Sequence, residues 1–379
     1  MELSAEDSLR LNVLLANSLQ AVRIDESSMT VYALSEEGEA SVRLNPTGRD
    51  EPYVKKVREL LSSQVLGSPG GYPVFLRRWT RMGQARDTSL EQLLLLGEPE
   101  AVVAVVHASG LTDEIARRAW WAMPVADNAR RMLEKDCVVQ GAMGPVLADY
   151  LVEYLPFETE HHCMAETVSL VLQPGLISDD LRDKLWRSAK RKNSYYLGFM
   201  NALPDNLPED GPPRPDFVRV RDRLAPLVQA GNPIAIQLCR CLDGRGQIFL
   251  STAGAVLGKP ANQDIVVDLM ISIQHYFSSV CPAGDPAADM ETIVDDAETL
   301  LDVPGVCPTT NAVQEMIDVL PEYRDDVRAM LVLSWVGESL LNPVFSRSDA
   351  IGTVMRKKIA PITTLIQLQF DQLRKDRTA

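Results

Sequence analysis

The chain has 379 residues, of which 46% are hydrophobic, so it can bury a core, and disorder is not expected. Its formal net charge of −14 repels phosphate backbones at long range, which counts against general binding to nucleic acids or anionic membranes. We see no basic leader and no apolar run near the roughly 20 residues that span a bilayer. We therefore expect a cytoplasmic protein without a membrane partner, whose six cysteines are reduced thiols.

Residues 1–85 predict a small N-terminal segment of mixed α/β structure. Ser4 can cap a helix over 4–20, because its hydroxyl can accept a hydrogen bond from a first-turn amide. Between Val22 and Leu44, short runs with period two indicate two or three strands. We predict no other sheet in the chain.

Residues 86–203 predict a series of short helices with very short connections. Thr88 to Glu91 has the pattern of a capping box, and Ser178 can cap a later helix in the same way. Short connections force consecutive helices into antiparallel pairs. Since no fixed repeat period is visible, we expect a mainly α fold, an irregular α-solenoid or helical-hairpin array.

Residues 204–216 contain five prolines and one glycine, which predicts a stiff, extended linker between two helical regions. Residues 217–379 form the second region. Ile265–Phe277 is almost wholly apolar and predicts a buried helix, because it is too long for a strand. Further helices are expected over 322–341 and 348–374.

The histidine-containing stretch from Glu158 to Glu166 is a weak metal-site candidate. On a helix, Glu158, His162 and Glu166 would share one face, and Glu158 and His161 form a Glu-x-x-His pair. A carboxylate-bridged metal site needs a second such pair, and the sequence has none. Signatures of serine hydrolases and of nucleotide-binding loops are also absent, so we predict no cofactor, metal or catalytic residue.

Four cysteines are candidate reactive thiols. Cys239 and Cys241 lie two residues apart, and on a helix their side chains point about 200° away from each other. Cys281 and Cys307 each stand between valine and proline in expected loops, where thiols are more accessible. No cation near Cys281 or Cys307 in the sequence favours the thiolate, and core cysteines are common, so a structural role is the simpler interpretation for all four cysteines.

Charged residues are distributed unevenly along the chain. Between Lys259 and Arg324 there are twelve acidic residues and no lysine or arginine, which predicts either a surface that steers a basic partner or one that aids solubility. One earlier helix and its end carry a candidate basic binding patch: Arg182, Lys184, Arg187, Lys190, Arg191 and Lys192. Aromatic residues at 186, 195, 196 and 199 accompany this patch. Basic and aromatic residues that alternate in this way are typical of a surface that binds single-stranded nucleic acid. They are equally typical of a helix C-terminus, where cations are favoured, followed by a helix whose aromatic residues lie in the core.

Several stretches within residues 119–208 resemble the DsrS family, soluble proteins that accompany the dissimilatory sulfite reductase system of sulfur-oxidising bacteria. The resemblance is carried by 119–124, 128–133, 184–199 and 204–208, including Trp120-Trp121 and Tyr195-Tyr196. It implies a cytoplasmic accessory role in the oxidation of stored sulfur. It brings no catalytic motif, so no active-site residues follow from it.

Three functional hypotheses result. The first is a non-catalytic accessory or regulatory protein that docks on another cytoplasmic protein, with the sulfur-oxidation machinery as the suspected source of that partner. The second is a sulfur-handling or redox-sensing protein that uses one of the four cysteines. The third, made less attractive by the net charge, is a regulator that binds RNA or DNA through the basic patch.

Overall fold

The computed structural model describes residues 3–67, 87–282, 289–302, 308–346 and 350–375. The chain divides into two compact units, Met1–Pro156 with Gln173–Ile177, and Phe157–Leu172 with Ser178–Ala379. The described residues contain twenty α-helices and one three-stranded sheet near the N-terminus. The predicted mainly α fold with a small N-terminal β segment is therefore confirmed.

The first unit contains the sheet and eight of these helices. Their bounds are α1 Ala5–Leu15, β1 Leu19–Asp25, β2 Thr30–Ser35, β3 Gly38–Arg43, α2 Asp50–Leu66, α3 Asp87–Leu93, α4 Pro99–His107, α5 Asp113–Ala122, α6 Ala126–Leu133, α7 Asp136–Val139 and α8 Met143–Tyr154. The strands pair antiparallel in the order β1-β2-β3. Ser4 caps α1 as predicted, by accepting from the Asp7 amide, but α1 ends before 20 because β1 already begins at Leu19.

The core beneath the sheet joins α1, the strands and α2. Leu11, Val31 and Leu61 are fully buried there, in one cluster with Tyr53. The Tyr53 hydroxyl donates to the buried carboxylate of Asp7 at 2.5 Å, so both polar groups are satisfied inside the core. The predicted capping box at Thr88 concerns side chains that lie outside the described part of the chain.

The second unit contains the remaining helices. Their bounds are α9 His161–Val171, α10 Asp179–Ala189, α11 Asn193–Ala202, α12 Phe217–Gln229, α13 Pro233–Leu242, α14 Gly244–Gly258, α15 Gln263–Tyr276, α16 Met290–Asp302, α17 Pro308–Val319, α18 Arg324–Ser334, α19 Asn342–Phe345 and α20 Gly352–Arg374. The predicted buried helix is α15, in which Ile265, Leu269 and Ile273 are almost inaccessible to solvent. The helix expected over 322–341 is shorter, because a 3₁₀ turn precedes α18 and the chain is extended at Gly337.

Close packing in this unit includes neighbours in sequence and pairs far apart. α10 packs on α11, and α20 packs on both α14 and α18. α9 and α11 approach most closely at Gly198, where an added Cβ would lie 2.6 Å from the Ala165 carbonyl oxygen and from Val168 Cβ. Only glycine permits this approach, so the α9–α11 contact depends on that position.

The proline-rich segment 204–216 contains no helix, as predicted. It lies inside the second unit, and the boundary between the two units falls elsewhere, in the interval 156–178. The physical reason is that the end of the segment is anchored: Arg214 is buried and hydrogen-bonds Asp216 and Asp326.

No helix among the described residues combines the length and apolar character needed to cross a bilayer.

Candidate functional site

The histidines at the start of α9 do not complete a metal site. α9 begins at His161, so Glu158 precedes the helix and lacks the predicted helical relation to His162. His161 Nδ1 lies 2.8 Å from the buried Ser194 hydroxyl, and His162 Nδ1 lies 3.3 Å from Asp268 Oδ2, where burial raises the pKa of that aspartate. These pairs connect α9 to α11 and α15. Within the described residues, no cluster of three or more His, Cys, Asp or Glu side chains could hold a metal ion.

Cys239 and Cys241 lie on the helix α13, so their side chains point in different directions, as the spacing predicted. Cys241 is fully buried, and burial raises the pKa of its thiol to about 12. Burial also raises the pKa of the half-buried Cys239, although the charge of Arg221 acts in the opposite direction. Both thiols are therefore protonated near neutral pH, which disfavours their use as nucleophiles.

Two further described thiols, Cys281 and Cys137, each contact a backbone carbonyl oxygen. Cys281 is half-buried, with its Sγ 3.6 Å from the Pro282 carbonyl oxygen. Cys307 lies outside the described residues. Cys137, which the sequence did not single out, is exposed, with its Sγ 3.1 Å from the Leu111 carbonyl oxygen. Cys137, Cys239, Cys241 and Cys281 form no disulfide among the described residues.

The helix α10 presents opposite chemistry on its two sides. Leu185, Trp186 and Ala189 are buried on the inner side. Lys184 and Arg187 are exposed, and their spacing of three residues places them on one outer side of the helix, while the exposed Lys190 and Arg191 follow in the turn after its end. Ser178 caps the helix as predicted, by accepting from the Leu181 amide.

The aromatic residues next to the basic patch belong to the core. Trp186 is 5% exposed and Phe199 is fully buried, and their rings meet edge to face with centroids 5.1 Å apart. Trp186 also meets Tyr196 edge to face, at 4.8 Å. A base cannot stack on rings that already cover one another in a core, so the stacking platform expected for single-stranded nucleic acid is missing here.

Arg182 is a member of the predicted basic patch that the structure separates from the others. Its guanidinium is 3.2 Å from Asp179 Oδ1 and 3.8 Å from Asp183 Oδ1, so its charge is compensated on its own helix. The other five cations form no ion pair with any described carboxylate, and we call them the cationic face: Lys184, Arg187, Lys190, Arg191 and Lys192.

The acidic interval 260–323 is partly compensated by arginines that lie outside it in sequence. Arg324 Nη2 lies 2.7 Å from Glu298 Oε1 and 2.9 Å from Asp302 Oδ1. Arg219, from α12, lies 3.7 Å from Glu322. The interval is therefore not the one-sign surface that the sequence alone suggested.

A buried ion-pair network, missed in the sequence, lies between the proline-rich segment and α18. Arg214 Nε is 2.7 Å from Asp216 Oδ1, and its Nη1 is 2.7 Å from Asp326 Oδ1, all three side chains being at most 1% exposed. The Tyr323 hydroxyl donates to Asp216 at 2.6 Å, and hydrogen bonds to Arg214 and Tyr323 lower the pKa of Asp216 against the effect of burial. We assign the network to folding, because Arg214 is buried between Asp216 and Asp326 and also donates to the Leu373 carbonyl oxygen of α20.

Comparisons with known proteins add no relative: no family model, curated protein or solved structure matches the chain. The cationic face is therefore the candidate functional site on its geometry alone.

Proposed function

We propose that this protein is a non-catalytic accessory or regulatory protein that docks on another protein through the cationic face. The observation that carries the proposal is a group of four exposed cations and one half-buried cation without carboxylate partners among the described residues, in a chain whose net charge is −14. Surface cations gathered without counter-ions repel one another, and an acidic surface that covers them relieves this repulsion.

An acidic protein is favoured over nucleic acid as the partner. Trp186, Tyr195 and Phe199 beside the cationic face are buried and offer no stacking surface, and the half-buried Tyr196 already packs edge to face on Trp186. In addition, Asp179, Asp180 and Asp183 are exposed on the first turns of the same helix. A continuous phosphate backbone lying along α10 would meet these carboxylates and be repelled by them.

The resemblance of residues 119–208 to the DsrS family supports a more specific proposal, in which the partner belongs to the cytoplasmic machinery of dissimilatory sulfur oxidation. The cationic face lies within the resembling stretch. The alternative of cysteine-dependent sulfur handling has less support, since Cys239 and Cys241 are both held in the protonated form by burial.

The test is an affinity capture from extracts of the cells that contain the protein, with two matched charge-reversal variants. One variant carries Lys184→Glu, Arg187→Glu and Arg191→Glu. The control makes the same change of charge at exposed cations of the first unit that have no ion pair among the described residues: Arg43→Glu, Arg49→Glu and Lys55→Glu.

We expect one or more acidic proteins to be recovered with the wild-type chain and with the control variant at similar yield. Their recovery with the α10 variant should fall by about tenfold or more, and added salt should weaken it. Equal recovery with both variants would overturn the proposal. Capture of nucleic acid in place of protein would also overturn it.

A further inference from the structure

Two hydrogen bonds bring distant parts of the chain to the end of α10. The Asn193 side-chain amide, at the start of α11, donates to the Lys259 carbonyl oxygen at 2.8 Å. Arg356 Nη1, in the first turns of α20, donates to the next carbonyl oxygen along the chain, that of Pro260, at 3.2 Å. The end of α14 is therefore held between the start of α11 and the first turns of α20.

This arrangement adds cations to the cationic face that the sequence could not associate with it. Lys259 is exposed and forms no ion pair in the described part of the chain. Arg356 is half-buried, and its hydrogen bonds go to the neutral oxygens of Pro260 and Thr353, at 3.2 Å and 3.0 Å, which leaves its charge uncompensated. We call the cationic face together with Lys259 and Arg356 the basic corner.

We propose that the basic corner binds an acidic α-helical segment of another protein, one that carries three or more carboxylates along one side. This inference rests on the proposed docking function and names the chemistry of the partner. It differs from that proposal because it requires cations from three separate parts of the chain, so that recognition depends on the folded second unit and not on α10 alone.

The spacing of the cations supports a helical partner. From Lys184 to Arg191 the chain advances by about 10 Å, since α10 rises by about 1.5 Å per residue to Ala189 and the chain continues through Lys190 and Arg191 in a hydrogen-bonded turn. Glutamates at positions i, i+4 and i+7 of a helix lying alongside repeat over the same distance. Three alternate residues of an extended strand would cover about 13 Å and would drift out of register with the cations.

The geometry of the corner also limits how the partner can lie. Lys190, Arg191 and Lys192 follow one another where α10 ends, and the Asn193 hydrogen bond places Lys259 next to that end. The exposed aspartates of α10 occupy its opposite, N-terminal end. A partner helix therefore gains contacts by extending from α10 towards Lys259 and Arg356, and loses them in the other direction.

The test uses two labelled synthetic peptides of equal length and composition, built from glutamate, alanine and glutamine. In the first peptide the glutamates lie on one helical side, and in the second they are distributed around the helix. Binding to the full chain is followed by fluorescence anisotropy at about 50 mM and about 300 mM salt, since electrostatic contacts weaken as the Debye length shortens. A single-stranded oligothymidylate of similar charge serves as the nucleic-acid probe.

We expect the one-sided peptide to bind about tenfold or more tightly than the distributed peptide, and its binding to weaken with salt. Lys259→Glu should weaken that binding by about fivefold or more, as should Lys184→Glu, while the control Lys55→Glu leaves it unchanged. Asn193→Ala, which removes the hydrogen bond to Lys259 and no charge, should weaken it to a smaller degree. Unchanged circular dichroism identifies the variants that keep the fold.

The outcomes separate the two proposals. If Lys184→Glu weakens binding and Lys259→Glu does not, the basic corner is refuted while docking through the cationic face stands. Equal binding of the two peptides refutes the helical partner. If neither peptide binds, and the capture experiment also fails, both proposals fall. Tighter binding of the oligothymidylate than of the one-sided peptide overturns the assignment in favour of nucleic acid.

Discussion

The pH dependence of stability should reveal a carboxylate held in an unfavourable place at the start of α4. Glu98 precedes Pro99, and its side chain is 13% exposed. Arg58 Nε lies 3.3 Å from Glu98 Oε2, but Arg58 also forms an ion pair with Glu26, with its Nη2 2.7 Å from Glu26 Oε1. Loss of hydration raises the pKa of Glu98 to about 7, since the attraction of Arg58 only partly opposes it and two nearby glutamates add to the rise.

The sign of the effect follows from proton binding. The ordinary glutamate pKa of 4.5 applies to the unfolded chain, so between pH 4.5 and about 7 the folded state binds more protons than the unfolded state. The free energy of unfolding therefore falls as the pH rises through this window. A shift of this size corresponds to at most about 3.4 kcal/mol, at 1.36 kcal/mol per pKa unit. Because solvent screens the partly accessible ion pair, we expect about 1–2 kcal/mol.

The test compares the wild-type chain with Glu98→Gln, which keeps the shape of the side chain and removes the titration. Urea unfolding followed by circular dichroism at pH 5, 6, 7 and 8 gives both stability profiles. Between pH 5 and pH 8 we expect Glu98→Gln to gain about 1–2 kcal/mol relative to wild type. Glu51→Gln, at an exposed position of α2, is the control and should run parallel to wild type. A Glu98→Gln profile parallel to wild type would refute the reasoning.

Two further predictions concern the second unit and the thiols. Arg214→Ala should lower the free energy of unfolding by about 3–5 kcal/mol, because it leaves the carboxylates of Asp216 and Asp326 buried without their cation; a loss under about 1 kcal/mol in urea unfolding would contradict the role given to the network. Brief maleimide treatment of the native protein, mapped by mass spectrometry, should label the exposed Cys137 and leave the buried Cys241 unlabelled until urea is added. Equal native labelling of both cysteines would show that Cys241 is more accessible than its burial indicates.

The sequence predicted those features of the fold that depend on local chemistry. Ser178 caps α10 because a serine hydroxyl needs only the amide of Leu181, a few residues away. The helix α15 was predictable because its apolar run is too long for a strand. The end of α18 at Ser334 was not predicted, since Trp335, Val336, Leu340 and Leu341 are apolar enough to continue a helix. In the fold these four residues are buried on either side of Gly337 without doing so.

The charged residues show the same difference between local features, which the sequence predicts, and contacts between distant residues, which it does not. A sequence shows which charges are neighbours along the chain, and so the cationic part of α10 was predictable, including its separation from the acidic interval. It does not show that Arg324 compensates Glu298 or that Arg214 is buried against Asp326, because these pairs span 26 and 112 residues. For this reason the acidic interval seemed more uniform than it is, and Lys259 and Arg356 were not associated with α10.

The net charge and the basic corner act on a partner at different distances. At physiological salt the Debye length is about 8 Å, so an approaching acidic helix is screened from most of the net charge of −14 and responds mainly to the cations nearest to it. At low salt the overall repulsion reaches farther and opposes the local attraction. Removing salt should therefore strengthen binding of the acidic helix less than it would if only the cations of the corner acted. Neutralising acidic residues far from the corner should raise the association rate, and it should do so most at low salt. A corner that acted in isolation would not show this second effect.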